Sequence, residues 1–205
     1  GKKIAVSSLF LKPVLKDLAA AVAAAEDLAQ DRQDPAVTAV KETRLSPSQE
    51  ALWLVEQMDG PRSTYNISMP LRLQGQLSLE RLAEALAALQ HRHDALRIQI
   101  AVKDRTPVQM LGDGIDFASP GTLSPIQVAD EPSLAQRLHE LAASPISITE
   151  SPLWRANLLR LAEDDHLLLL TFHHVICDGW SLQVLAEELS QLYSGKALES
   201  LPDAG

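Results

Sequence analysis

Leu167-Leu168-Leu169-Leu170-Thr171-Phe172-His173-His174-Val175-Ile176-Cys177-Asp178-Gly179-Trp180-Ser181 is the stretch that decides how this chain is read. Four consecutive leucines bounded by polar residues predict a buried strand. Ser181, followed by Leu182, Leu185, Leu189 and Leu192, predicts an N-cap and an amphipathic helix. Two histidines, an acid and a glycine lie between them, where a central strand runs out into a loop, a common position for catalytic groups. A histidine exchanges protons near neutral pH and a backbone N–H stabilises an oxyanion, so these residue types suit acyl transfer. Gly179 is expected to let the backbone approach a substrate and to adopt angles other residues avoid. Asp178 is open to several readings: acceptor for a histidine N–H, anchor for an arginine, or plain helix cap beside a packed histidine pair.

Leu153 to Leu161 and His166 to Phe172 predict a hairpin across Ala162-Glu163-Asp164-Asp165, with His166 at its rim. Further upstream, Ser46 and Gln49 form a capping-box signature with Pro47 at the first helical position. Leu52, Val55 and Met58 follow at helical spacing until Asp59-Gly60-Pro61 ends the helix. Asn66 to Gln74 predicts a strand with Ile67, Met69, Leu71 and Leu73 on one face, and Pro70 places it at an edge or a bulge. Ser78 caps a helix whose Leu79, Leu82, Leu86 and Leu89 form a core stripe. Leu96 to Ile100 and Thr106 to Leu111 predict a second hairpin, and Ile126 to Val128 a short strand. Pro132 opens a helix carrying Leu134, Leu138 and Leu141, with His139 on its solvated side. Strands interspersed with helices in this way predict a two-layer α/β sandwich.

Composition narrows the functional classes. With 205 residues and 46% hydrophobic content the chain can bury a core and form one or two domains. A net charge of −9 gives no electrostatic reason to expect nucleic acid or an anionic membrane as partner. No run of 18 apolar residues and no signal peptide is found, so a cytoplasmic location is expected. Cys177 is the single cysteine, which rules out an internal disulfide, and its place in the loop suits packing better than nucleophilic attack. Adjacent His173 and His174 are poorly spaced for chelation, and His91 and His93 close a helix, so no metal is expected. The absence of GxGxxG and P-loop patterns argues against a nucleotide cofactor.

The histidine stretch resembles the HHxxxDGxS signature of condensation domains of nonribosomal peptide synthetases, within the chloramphenicol-acetyltransferase-like superfamily. Leu45-Ser46-Pro47-Ser48-Gln49-Glu50-Ala51-Leu52-Trp53 is similar to the first motif of that family, and Arg92-His93-Asp94-Ala95-Leu96-Arg97 to its second. Tyr65-Asn66-Ile67 is also family-like. Ser48 and Ala51 stand where the family usually has Ala and Arg, Asp94 where it has Glu, and Ile98 where it has Thr. The histidine motif itself is unaltered.

The resemblance implies a chloramphenicol-acetyltransferase-like half-domain, a mixed sheet with helices packed on it. It implies amide-bond formation between a carrier-bound acyl or peptidyl thioester donor and the amine of a carrier-bound aminoacyl acceptor. No cofactor is bound covalently; phosphopantetheine arms come from the partner carrier domains. His174 takes the main functional role, as general base on the attacking amine or as the group that positions it, and Gly179 supplies an N–H near the thioester oxygen. His173, Asp178, Trp180, Ser181 and Arg97 are structural, with Trp180 packing at the helix entrance and Arg97 bracing the fold through an acidic partner. An epimerization domain and a non-catalytic docking module are the alternatives. Family members run to about twice this length, so residues 44–205 are expected to be an N-terminal half that needs its C-terminal half as partner and is inactive alone. Leu9-Phe10-Leu11-Lys12-Pro13 and the residues to Ala19 resemble the final helix of a carrier protein domain. Residues 1–25 are therefore read as that helix and 26–43 as a polar linker.

Overall fold

The computed structural model describes residues 14–24 and 42–198. The chain divides into two units, residues 1–39 with 203–205, and residues 40–202. In the first, helix α1 (Leu15–Ala24) is an alanine-rich segment, alanine being the residue that costs least to place in a helix. The Leu9 to Pro13 start of the expected carrier-like helix and the linker over 26–41 lie outside the described residues.

The second unit runs β1 (Glu42–Arg44), α2 (Pro47–Asp59), β2 (Asn66–Gln74), α3 (Leu79–Arg92), β3 (Ile98–Lys103), β4 (Thr106–Leu111), β5 (Ile126–Gln127), α4 (Glu131–Ala143), β6 (Trp154–Ala162), β7 (Asp165–His173) and α5 (Gly179–Tyr193). The main sheet has the order β2-β7-β6-β5. It is mixed, because β5 is parallel to β6 while the other pairs are antiparallel. A second, antiparallel sheet has the order β1-β4-β3.

β7 reads as an unbroken apolar run because both of its faces are covered. Leu168, Leu170 and Phe172 meet Leu82, Leu86 and Leu89 of α3 and Leu185 and Leu189 of α5. On the opposite face Leu167 and Leu169 join Leu159 and Leu134 of α4. Trp154 stacks on Phe172 with ring centroids 5.6 Å apart, and its Nε1–H donates to the Leu96 carbonyl at 2.9 Å. A third cluster, formed by Leu45, Ile100, Ile148, Leu153 and Val175, seats the histidine loop against the smaller sheet.

The α/β class, the mixed sheet and the edge position of Pro70 in β2 follow the expectation. Four details differ. β1 was not anticipated and takes in Glu42 and Thr43, the end of the expected linker; three polar residues give no strand pattern, and the pairing with β4 supplies it. His166 is buried within β7 rather than placed at a rim. Leu79 is exposed, and Ala85 takes its place in the α3 core. The stripe expected on α2 holds only at Leu52, which packs on the third cluster: Val55 is exposed, Met58 is 85% exposed, and Glu56 is the buried residue of that helix.

No helix among the described residues is long and apolar enough to cross a membrane. Because Leu168 is wholly enclosed between β7 and the α3–α5 layer, Leu168→Ala should lower unfolding stability by about 2–5 kcal/mol in urea titration. A loss under about 1 kcal/mol would mean that the layer closes over the gap.

Candidate active site

β7 stops at His173, and three backbone hydrogen bonds set the turn that follows. The His173 N–H donates to the Leu153 carbonyl (2.9 Å), the Ile176 N–H to the His173 carbonyl (3.1 Å), and the His174 N–H to the Tyr65 carbonyl (2.7 Å). Tyr65 reaches this point because Asn66 pairs with His173 in the sheet. The two histidines part company here. His173 is completely buried, whereas His174 is exposed on the wall of a cavity of about 610 Å³ that Gln49, Leu52, Tyr65, Val175 and Asp178 also line.

The His173 ring is hydrogen-bonded at one nitrogen and faces a carboxylate with the other. The Val175 N–H donates to Nδ1 at 3.1 Å, so the proton of the neutral ring sits on Nε2. Nε2 lies 3.3 Å from Glu56 Oε2, near enough to feel the carboxylate yet out of line for a hydrogen bond. Burial pushes this imidazole below the ordinary histidine value, with Glu56 opposing the shift. The neutral form is therefore the one in place.

Helix α5 begins on Asp178, not on Ser181 as the sequence suggested. Asp178 Oδ1 accepts from the Ser181 N–H (2.8 Å) and hydroxyl (2.6 Å), and the Asp178 N–H donates back to Ser181 Oγ (3.4 Å). This reciprocal box offers two bonds from one serine and explains why the acid takes the cap. Those bonds hold the Asp178 carboxyl below the usual carboxylate range. Among the described residues Asp178 hydrogen-bonds to neither a histidine nor an arginine. Arg97 pairs with Asp94 instead, at 2.5 Å, so its acidic partner lies three residues before it.

Two further expectations need correcting. Trp180 does not pack at the helix entrance: it is 78% exposed at the second position of α5, where it borders a cleft also lined by Leu96 and Leu185. Gly179 has no need of unusual backbone angles, since its φ is not positive, and a Cβ added there would meet nothing within 4 Å. What it does offer is an open approach to a first-turn N–H that has no intrahelical acceptor. Cys177 is buried and its thiol is pushed up to about 11, first by desolvation, so it is inert at neutral pH.

Sequence reasoning missed two side chains that hold the loop from α2. Gln49 completes the capping box with Ser46 through Oε1 and donates through Nε2 to the Val175 carbonyl at 3.2 Å. Glu56 accepts from the Ile148 N–H (2.7 Å) and the Ser147 hydroxyl (3.2 Å) through Oε1, leaving Oε2 toward His173. The available signal was spacing, since Glu56 lies four residues beyond Leu52 and shares its helix face. Among the described residues no group of three or more histidine, cysteine or acidic side chains is placed to hold a metal. His93, at the end of α3, lies with Nε2 2.6 Å from Glu188 Oε2, which Arg92 Nε also reaches at 3.0 Å.

The fold of this unit is shared with a solved structure. The X-domain from teicoplanin biosynthesis, solved in complex with OxyB, matches 82% of this chain with a TM-score of 0.71 and 29% identity. The condensation-domain family model matches residues 40–204, and the chain belongs to that family. It is 35% identical over 197 residues to the nonribosomal peptide synthetase kk1B of Curvularia clavata, and 32% identical over 201 residues to surfactin synthase subunit 1 of Bacillus subtilis (strain 168). Those matches cover 94% and 98% of this chain, but the chain spans only 1% and 5% of the two synthetases and 36% of the X-domain chain.

The Asp178 cap gives a pH test. Its folded pKa lies below the unfolded one, so its contribution is complete above the unfolded value of about 4 and is lost as pH falls through the folded value. Asparagine caps comparably and does not titrate. Wild type and Asp178→Asn should therefore melt alike at pH 7, and wild type should lose stability relative to the variant only below about pH 4. A gap as large at pH 7 as at pH 3 would remove the cap from the account.

Proposed function

We propose that residues 44–205 form the N-terminal half of a cytoplasmic condensation domain that joins a carrier-bound acyl or peptidyl thioester to the amine of a carrier-bound aminoacyl group. Residues 1–25 are then the end of a preceding carrier domain, and 26–43 the connection between them. The observation that carries this reading is the parting of the histidines: His173 is locked in the core, and His174 alone of the pair faces the cavity. The amine attacks the thioester carbon, the C–N bond forms, the C–S bond breaks, and the amine proton leaves with the thiol. His174 contacts that amine, as base or as positioning acceptor, and the Gly179 N–H faces the carbonyl oxygen as charge develops on it. The phosphopantetheine arms belong to the substrates.

The test uses the chain extended to the end of its domain, with separately loaded donor and acceptor carriers. Intact-mass spectrometry should show the acceptor carrier gaining the donor acyl mass. His174→Ala should slow that gain about 10²–10⁴-fold while leaving the melting temperature unchanged, because the side chain is exposed. No gain with wild type, both carriers being loaded, would reject amide formation.

A second reading, a docking module, is favoured by one observation: the X-domain relative has been solved in complex with OxyB. Under that reading His174→Ala leaves partner binding intact. In either case Leu54, Val55, Met58 and Trp180 leave apolar surface in solvent for the rest of the domain to cover. The 205-residue chain alone should then show an apparent mass by light scattering that rises with concentration. A monomer at every concentration, without detergent, would show that this surface needs no cover.

A further inference from the structure

We infer that Glu56 is a positioning residue for the reaction, fixing the tautomer and orientation of His173 and through it the place of His174. The inference rests on the condensation reading only where activity is measured; its structural part stands without it.

A carboxylate at the centre of a helix is costly to bury unless donors meet it. Glu56 is 4% exposed, and nothing in α2 requires an acid there. Two distant segments meet it: Ser147 and Ile148, in the connection between α4 and β6, donate hydrogen bonds, and the His173 ring at the end of β7 lies 3.3 Å away. The Ile148 and Ser147 bonds both fall on Oε1, so they orient the group and leave Oε2 free to face His173 Nε2.

The imidazole answers this arrangement. Because Nδ1 accepts from the Val175 N–H, the neutral ring carries its proton on Nε2, the side on which Glu56 Oε2 lies 3.3 Å away. The opposite tautomer would set an N–H against the Val175 N–H and leave a lone pair facing Oε2. Glu56 thus selects the one ring state that keeps the Val175 bond, and that bond shapes the turn from which His174 emerges. Glu56 is not among the residues that line the cavity around His174, so it acts through His173 and does not touch the substrate.

Glutamine in its place keeps the shape and breaks the polarity. With its oxygen toward Ile148 it points an amide N–H at the His173 Nε2–H; turned over, it sets that amide against the Ile148 N–H. Either way one pair of donors is left face to face.

The first arm of the test is long-range ¹H–¹⁵N correlation NMR of the histidine rings in the 205-residue chain, which needs no reaction. Wild type at neutral pH should show His173 as a single neutral Nε2–H tautomer. Glu56→Gln should shift it to a mixture of tautomers and move the His174 resonances. An Nδ1–H or doubly protonated His173 in wild type overturns the inference, and that spectrum decides the matter even if the variant does not fold. A folded Glu56→Gln with both rings unchanged also overturns it.

The second arm uses the extended domain with loaded carriers. Glu56→Gln should lower kcat on the order of 10²-fold while KM for the donor carrier stays the same, as expected for a misplaced catalytic group. An unchanged kcat, or a loss confined to KM, overturns positioning. An inactive wild type rejects amide formation and leaves the NMR arm to decide on Glu56.

Discussion

Coverage of β7 on both faces, by α3 and α5 on one side and α4 on the other, is the constraint on which the rest of the second unit depends. It explains four leucines in a row and leaves a problem that leucines cannot solve. A shift of one residue would exchange leucine for leucine on each face, so the run itself does not specify its register. The residues at its end do. Phe172 must face Trp154 to stack, and His173 must face the opposite way to reach Glu56. The same two positions that pin the sheet also decide which histidine is buried and which is presented.

The site is consequently built by parts of the chain that contribute little chemistry. α2 supplies Gln49 to the Val175 carbonyl and Leu52 to the cavity wall, while its Glu56 meets the imidazole in the interior. β2 supplies the Tyr65 carbonyl through a register in which Asn66 and His173 are partners. Asp178, for which a histidine contact, an arginine anchor and a helix cap were all open, is occupied with its own helix. The first turn of α5 is thereby tied to the loop that carries His174.

Much of the fold was legible because it rests on local signals. The capping box at Ser46, the core stripe Leu82-Leu86-Leu89 and the β6–β7 hairpin each carry their pattern within a dozen residues. β1 escaped, since Glu42-Thr43-Arg44 has no strand character apart from its pairing with β4. α2 misled for a related reason: its apolar residues outnumber its buried ones, and the face it turns inward is selected by a backbone N–H at Ile148 that lies 92 positions away. The roles of His174 and His173 were read from family resemblance, whereas their difference in burial rests on contacts from distant segments that no local pattern carries. Trp180 ran against expectation because helical position, not hydrophobicity, decides whether a side chain meets a core.

The clamp from Gln49 to Val175 spans 126 positions of sequence, and no short segment holds the loop by itself. Contacts of such separation form only after most of the chain between them has been ordered, since the entropy of closing the loop opposes them first. During synthesis α2 leaves the ribosome long before the residues it must grip exist, and it waits with its glutamine and its acid unpaired. The motif loop is made after the α2, β2 and β6 segments that hold it. Placing the reactive histidine at the far end of so long a closure makes presentation of the side chain a late event in folding.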